Sequence, residues 1–164
     1  MTYFNRSVEV KNVELDIFQQ YVGDVGGVVW DAALVMCAFL ERLDSKRPGH
    51  LEGARVIELG AGTGLVGLAA AVLGAHAFVS DVAEFMPLMT KNIAENCKVL
   101  KGGRVEALEI DWRQFCQEED AENALEVDPI LRARLVEKFD YILISDCIYY
   151  ERLLSFNPHI TKVN

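Results

Sequence analysis

Residues 58–64 read Glu-Leu-Gly-Ala-Gly-Thr-Gly, a glycine-rich segment between two apolar runs. The residues before it, 55–59, are typical of a short β-strand, and residues 65–73 are apolar almost throughout, with Gly74 as the expected C-terminal cap of a buried helix. Glycines at a strand-to-helix turn let the backbone bend sharply and approach a ligand closely. The segment therefore predicts a ligand-binding turn in an α/β fold, at the carboxyl edge of the sheet.

The strand–loop–helix order continues along the chain. A second strand is predicted at 77–80, a third at 105–110 and a fourth at 141–144, with helices at about 85–99 and from 129 to about 137. Such alternation is typical of βαβ units. We therefore predict an α/β, Rossmann-like fold with an incomplete parallel sheet of strands one to four.

An N-terminal unit precedes this series. Alternating valines lead to the dipeptide Lys11-Asn12, which has turn chemistry, and a second extended run follows at 15–18, so a β-hairpin is predicted. A glycine-rich approach then leads to Asp31, the expected N-cap of an amphipathic helix over 32–43.

The predicted organisation is one structural domain in two parts. Residues 1–53 form the hairpin and helix, and residues 54–164 form the Rossmann-like portion. The fourth strand is apolar on both faces, which is typical of an interior strand of a parallel sheet. Because residues 149–164 are too few for another helix and strand, we expect the chain to be truncated rather than covered by a second chain.

Composition excludes several classes of protein. Of 164 residues, 51% are hydrophobic and 25% are charged, which excludes a disordered chain. The net charge of −9 argues against a sequence-independent nucleic-acid binder. The four cysteines are widely spaced, which favours reduced thiols over a disulfide framework or a metal site. With neither a secretory signal pattern nor a long apolar run, we expect a cytoplasmic or nuclear location and no membrane partner.

The glycine spacing alone is compatible with more than one role. Gly62, Gly64 and Gly67 satisfy the dinucleotide pattern G-x-G-x-x-G, and Asp81 follows about 20 residues later. A tight turn without a ligand is a further alternative.

Three strand ends favour S-adenosylmethionine over a dinucleotide. Asp81 is suited to accept hydrogen bonds from two ribose hydroxyls, although it is also a candidate helix N-cap. Asp111 is suited to accept a hydrogen bond from the exocyclic amine of adenine, and Trp112 is suited to cover the adenine ring. Trp112 is also a candidate core aromatic. Glu58 can approach the cationic end of the cofactor.

The sequence resembles a known family. Residues 58–67, ELGAGTGLVG, are similar to motif I of class I (seven-β-strand) methyltransferases. Within that class, VVWDAA at 28–33 and DCIYY at 146–150 resemble the family-16 protein-lysine methyltransferases, and the resemblance covers residues 5–151.

Together with the strand-end reasoning, the resemblance gives an expected site. The cofactor-binding residues are Trp30, Glu58, Gly60, Ala61, Gly62, Asp81, Asp111, Trp112 and Ser145. The D-x-x-Y motif, Asp146 to Tyr149, implies the residues that handle the target lysine, with an N-cap and a core aromatic as their alternatives. No metal is expected.

The leading hypothesis is an S-adenosylmethionine-dependent protein-lysine N-methyltransferase. The resemblance implies a protein substrate, such as valosin-containing protein or a heat-shock-70 chaperone, and a monomer when the fold is complete. Family members continue for several strands and helices, and residues 117–137 look longer than the corresponding family loop. The alternatives are a truncated, non-catalytic cofactor-binding or pseudoenzyme fragment and a methyltransferase for another substrate.

Overall fold

A computed structural model describes residues 2–21, 25–111 and 129–147, without the side chains of 129–132. The predictions made for Trp112 and Tyr149 lie outside these residues.

The N-terminal hairpin is confirmed. Strands β1 (Tyr3–Val10) and β2 (Val13–Gln20) pair antiparallel, with Val10 opposite Val13. The intervening Lys11 and Asn12 both have positive φ, 49° and 61°, as a two-residue turn matched to the twist of a hairpin requires.

Helix α1 (Asp31–Lys46) is three residues longer at its C-terminus than predicted, and the N-cap prediction for Asp31 is wrong. Trp30 holds the N-cap position with an extended backbone, and its carbonyl accepts the N–H groups of Ala33 and Leu34. Asp31 is the first helical residue, where its negative charge interacts favourably with the positive end of the helix dipole.

The βα series forms a four-stranded parallel sheet in the order β5-β4-β3-β6. Its elements are β3 (Arg55–Leu59), α2 (Leu65–Val72), β4 (His76–Asp81), α3 (Met86–Asn96), β5 (Arg104–Glu109), α4 (Pro129–Val136) and β6 (Tyr141–Ile144). Single 3₁₀ turns lie at Val25–Gly27, Ala83–Phe85 and Cys97–Val99. The predicted α/β class and parallel sheet are confirmed.

One apolar core joins both parts of the chain. Val10 and Leu15 of the hairpin and Leu40 of α1 belong to the same buried cluster as Val56 of β3 and Leu68 of α2. Helix α2 is buried along nearly all of its length, as its apolar sequence predicts.

Strand β6 is less enclosed than its sequence predicts. Among the described ranges, β3 is its one strand partner, and Ile142 and Ile144 are 55% and 47% exposed. Both lie on the sheet face that carries Ile57 and Phe78, in the register that pairs Ile142 with Ile57.

The strand order creates a switch point beside β3. From β3 the chain continues through β4 to β5 on one side, whereas β6 pairs on the other side. In open α/β sheets the crevice at such a reversal, outside the carboxyl ends of the strands, is where ligands bind. The loops after β3 and β6 flank this crevice.

Candidate cofactor site

The loop after β3 requires glycine at two positions for contacts within the chain. Gly60 and Gly62 have φ of 67° and 53°, in the left-handed region. A Cβ on Gly60 would clash with Cβ of Cys147, and one on Gly62 would lie 2.5 Å from the carbonyl oxygen of Gly26. The loop is therefore packed between the segment after β6 and the turn before α1.

Asp81 connects the end of β4 to this loop. Its Oδ2 accepts the N–H of Gly62 at 2.8 Å, and its Oδ1 accepts the N–H of Val82 at 2.8 Å. The neighbouring carbonyl of Ser80 accepts the N–H of Ala61 at 3.0 Å. The two backbone hydrogen bonds fix the orientation of the carboxylate at the end of β4.

Glu58 lies below the loop and is buried, with 3% of its surface exposed. Its Oε2 accepts the N–H of Gly67 at 2.8 Å, so it serves the first turn of α2, whose N-cap Gly64 has no side chain. Burial raises the pKa of Glu58 to about 8, with a further rise from the charge of Asp81 and an opposing effect of the Gly67 hydrogen bond. At neutral pH this carboxyl is mostly protonated.

The segment after β6 lies at the same carboxyl edge of the sheet as the glycine loop. Ser145 follows Ile144, which is in register with Leu59 at the end of β3. Asp146 is exposed and has φ of 54°, a conformation that Asp adopts more readily than most residues but at some cost. Cys147 turns back into the protein, where it is 5% exposed and contacts Gly60.

Trp30 lies at the rim of this edge. It is 47% exposed, and its Nε1 donates to the carbonyl of Val25 at 2.8 Å. That hydrogen bond fastens the indole to the Val25–Gly27 turn, which contacts the loop through Gly26 and Gly62.

Asp111 lies two residues beyond the last residue of β5 and is partly exposed. The adjacent Ile110 donates its N–H to the carbonyl of Asp81 at 2.9 Å, so the ends of β4 and β5 remain joined there. The described part of the candidate site therefore runs along one edge of the sheet, from β5 to β6.

Two buried cysteines near Glu58 have raised pKa values. Burial, together with the charge of Glu58, raises the pKa of Cys37 to about 12, and burial raises the pKa of Cys147. A nucleophilic cysteine needs the opposite shift. Within residues 2–21, 25–111 and 129–147, no group of His, Cys, Asp and Glu is arranged to hold a metal ion.

The carboxyl groups discriminate between the two cofactors that the glycine spacing allows. A dinucleotide places its pyrophosphate on the amides at the helix N-terminus. Here the Gly67 amide in the first turn of α2 already donates to Glu58, and the Gly62 amide in the preceding glycine turn donates to Asp81. The Asp81 carboxylate at this edge therefore fits ligand hydroxyls, such as those of the ribose in S-adenosylmethionine, better than it fits a pyrophosphate.

Sequence reasoning missed two asparagines that join α3 to the hairpin, one of which, Asn92, also donates to the Thr63 carbonyl in the glycine loop. Asn92 and Asn96 of α3 are buried, and their side chains bond to the backbone of β2. The available signal was two asparagines at i and i+4 on a helix face that also contains Leu88 and Met89.

Comparisons with known proteins identify the family. A family model described as lysine methyltransferase matches residues 9–158. Protein N-lysine methyltransferase METTL21A of Xenopus tropicalis is 35% identical over 140 residues, 85% of this chain and 55% of that protein. Protein-lysine methyltransferase METTL21E of Bos taurus is 36% identical over 141 residues, 84% of this chain and 44% of that protein. The chain spans about half the length of these curated relatives.

Solved structures agree with the fold. The Thermus thermophilus 16S rRNA N2 G1207 methyltransferase, solved in complex with AdoMet and guanosine, has a TM-score of 0.54 and is 22% identical, covering 87% of this chain and 32% of that one. A SAM-dependent methyltransferase from Agrobacterium tumefaciens also has a TM-score of 0.54, at 18% identity, over 85% of this chain and 39% of that one. In the described part of the chain, no helix is long and apolar enough to cross a membrane. With residues 9–158 matching the family model, this chain belongs to the lysine methyltransferase family.

Proposed function

We propose that this protein binds S-adenosylmethionine in the crevice between β3 and β6 and methylates a lysine of a protein substrate. The observation that carries the proposal is the convergence at one sheet edge of the glycine loop, the Asp81 carboxylate that it orients and the Ser145–Asp146 segment. Family membership supports the reaction, and the strand order supports the location.

The cofactor is assigned to residues of this edge according to their chemistry. Asp81 accepts hydrogen bonds from the ribose hydroxyls, since its carboxylate is held at the end of β4 by Gly62. The backbone of Gly60, Ala61 and Gly62 passes beside the ligand. The adenine is assigned to Asp111 with Trp112, and further contacts are assigned to Trp30, to Glu58 and to the backbone of Ser145.

S-adenosylmethionine supplies an electrophilic methyl group on a sulfonium sulfur. A lysine attacks only as the neutral amine, whereas its unperturbed pKa is about 10.4, so the bound ammonium must release one proton to solvent before the methyl group is transferred. We assign Asp146 to attract and orient the incoming ammonium, because its carboxyl group is exposed beside the crevice on a backbone of positive φ. Tyr149, outside the described residues, is assigned to the wall of the lysine channel.

The substrate proposed is a folded ATPase of the chaperone type, valosin-containing protein or a heat-shock-70 chaperone, and a cytoplasmic location is proposed with it. The support is the resemblance of residues 28–33 and 146–150 to protein-lysine methyltransferases. One relative, 38% identical over 113 residues, is named EEF1A lysine methyltransferase 3, so substrates differ between relatives. The match covers 65% of this chain and 48% of that protein.

The test is methyl transfer from radiolabelled S-adenosylmethionine to each of these two proteins, beside titration with S-adenosylhomocysteine. Asp146→Asn keeps the shape and tolerates positive φ but removes the charge. We expect it to reduce transfer about 100-fold, as a loss of positioning does, with cofactor affinity little changed.

Three results contradict parts of the proposal. Wild-type transfer by Asp146→Asn, or a parallel loss of cofactor affinity, refutes the lysine-handling role. Cofactor binding without transfer to either protein supports a binding fragment or another substrate. Failure to bind S-adenosylhomocysteine refutes the cofactor assignment.

A further inference from the structure

Two asparagines of α3 fasten the N-terminal hairpin to the rest of the molecule. Asn92 and Asn96 are 0% and 3% exposed and lie one helical turn apart. Asn92 Oδ1 accepts the N–H of Phe18 at 2.8 Å and its Nδ2 donates to the carbonyl of Phe18 at 3.0 Å. Asn96 makes the same pair of hydrogen bonds with Asp16, both at 2.9 Å. Each amide thus pairs with β2 in the manner of a neighbouring strand.

The two asparagines differ in their third hydrogen bond. Asn92 Nδ2 also donates to the carbonyl of Thr63 at 2.9 Å, inside the glycine loop, whereas Asn96 Nδ2 donates to the carbonyl of Asn92 at 2.8 Å, within α3. Both amides therefore make three hydrogen bonds in buried surroundings, and only that of Asn92 reaches the loop.

The hairpin also holds the turn that contacts the loop from the other side. Gln19, which is 4% exposed, accepts the N–H of Val29 through Oε1 at 2.8 Å. Val29 lies two residues after the Val25–Gly27 turn, in which the carbonyl of Gly26 closely approaches Gly62. The loop is thus restrained by the hairpin at Thr63 and, through this turn, at Gly62.

We propose that Asn92 is a positioning residue for the cofactor loop, residues 60–64. Its side chain couples the N-terminal hairpin to the conformation of this loop. The loop contains glycines of positive φ, a conformation that the local sequence permits but does not impose, so restraint has to come from tertiary contacts. A hydrogen bond from a fully buried amide to the Thr63 carbonyl supplies that restraint one residue before the N-cap of α2. The consequence for ligand affinity rests on the proposed function, whereas the consequence for loop conformation does not.

The matched pair Asn92→Ala and Asn96→Ala tests this proposal on the full chain. Both substitutions remove three buried hydrogen bonds, so both lower the urea midpoint by similar amounts. We expect Asn92→Ala to weaken S-adenosylhomocysteine binding about tenfold in calorimetry and Asn96→Ala less than twofold. Hydrogen exchange of the Gly62 and Gly64 amides, measured without ligand, accelerates about tenfold in Asn92→Ala alone.

Equal losses of affinity and equal loop exchange in the two variants overturn the proposal, because hairpin stability alone would then explain both. Wild-type exchange and affinity in Asn92→Ala overturn it as well. If the wild-type chain does not bind S-adenosylhomocysteine, the proposed function fails, while the exchange comparison still decides the role of Asn92.

A measurement on the wild-type chain covers the case in which Asn92→Ala does not fold. In native-state hydrogen exchange under low urea, we expect the loop amides to exchange in the same local opening step as the Phe18 amide, which donates to Asn92, and separately from the Asp16 amide, which donates to Asn96. Exchange of the loop amides in a separate step of lower free energy overturns the coupling.

Discussion

The pH dependence of stability reports directly on the buried carboxyl group of Glu58. Burial, the dominant cause, raises its pKa from 4.5 to about 8, with the charge of Asp81 adding to the rise and the Gly67 N–H opposing it. In the unfolded chain the pKa of a glutamate is about 4.3. Between these two values the folded protein binds one more proton than the unfolded chain, so the free energy of unfolding falls as pH rises.

The size of this effect follows from the two pKa values. One additional proton in the folded state gives a slope of about 1.4 kcal/mol per pH unit in the region between them. Across pH 5 to 8 the loss from this group amounts to about 3–4 kcal/mol. Glu58→Gln retains the shape and an oxygen that can accept the Gly67 N–H but has no proton to release. The stability of wild type relative to Glu58→Gln should therefore fall by that amount over the same range.

Urea denaturation at pH 5, 6, 7 and 8 measures the difference between the two proteins. Glu95→Gln, on the exposed side of α3, controls for the loss of one carboxyl group. A difference between wild type and Glu58→Gln that stays constant over this range would show that folding leaves the protonation of Glu58 unchanged, and would refute the reasoning.

Two further predictions concern the loop and its partner. Gly60→Ala should lower the free energy of unfolding in urea by about 2–4 kcal/mol, because the left-handed φ is unfavourable for alanine and the added Cβ would also meet Cys147. Gly53→Ala should lower it by only about 1–2 kcal/mol, because Gly53 has a similar φ of 71° but no atom within 4 Å of the added Cβ. Equal losses in the two variants would contradict the close packing at Gly60. Asp81→Ala should weaken S-adenosylhomocysteine binding by about 1.5–3 kcal/mol in calorimetry, the value of hydrogen bonds to a charged group, and unchanged affinity would remove Asp81 from the site.

Local signals predicted the regular elements of this fold. The strand at 55–59 and the turn at Lys11-Asn12 were predictable because β-type residues and turn dipeptides act over a few neighbours. The N-cap of α1 could not be predicted to the residue, because Asp31 and Trp30 are adjacent and the extended backbone of Trp30 sets where the helix begins.

The candidate site was predictable as a set of strand ends but not as a set of contacts. A parallel sheet brings the ends of β3, β4 and β6 to one edge, so Gly60, Asp81 and Ser145 could be grouped from sequence. The contact between Asn92 and Thr63 joins residues 29 positions apart, and neither residue type signals the other. Such tertiary hydrogen bonds depend on how α3 packs, which periodicity does not specify.

The most direct test of the cofactor assignment is a calorimetric comparison of S-adenosylhomocysteine and NAD on the same chain. We expect one S-adenosylhomocysteine bound per chain, weakened by Asp81→Ala, and no binding of NAD, because the Gly67 amide in the first turn of α2 and the Gly62 amide of the glycine turn already donate to carboxyl groups. Binding of NAD with equal or greater affinity, or no binding of S-adenosylhomocysteine by the folded chain, would contradict this assignment.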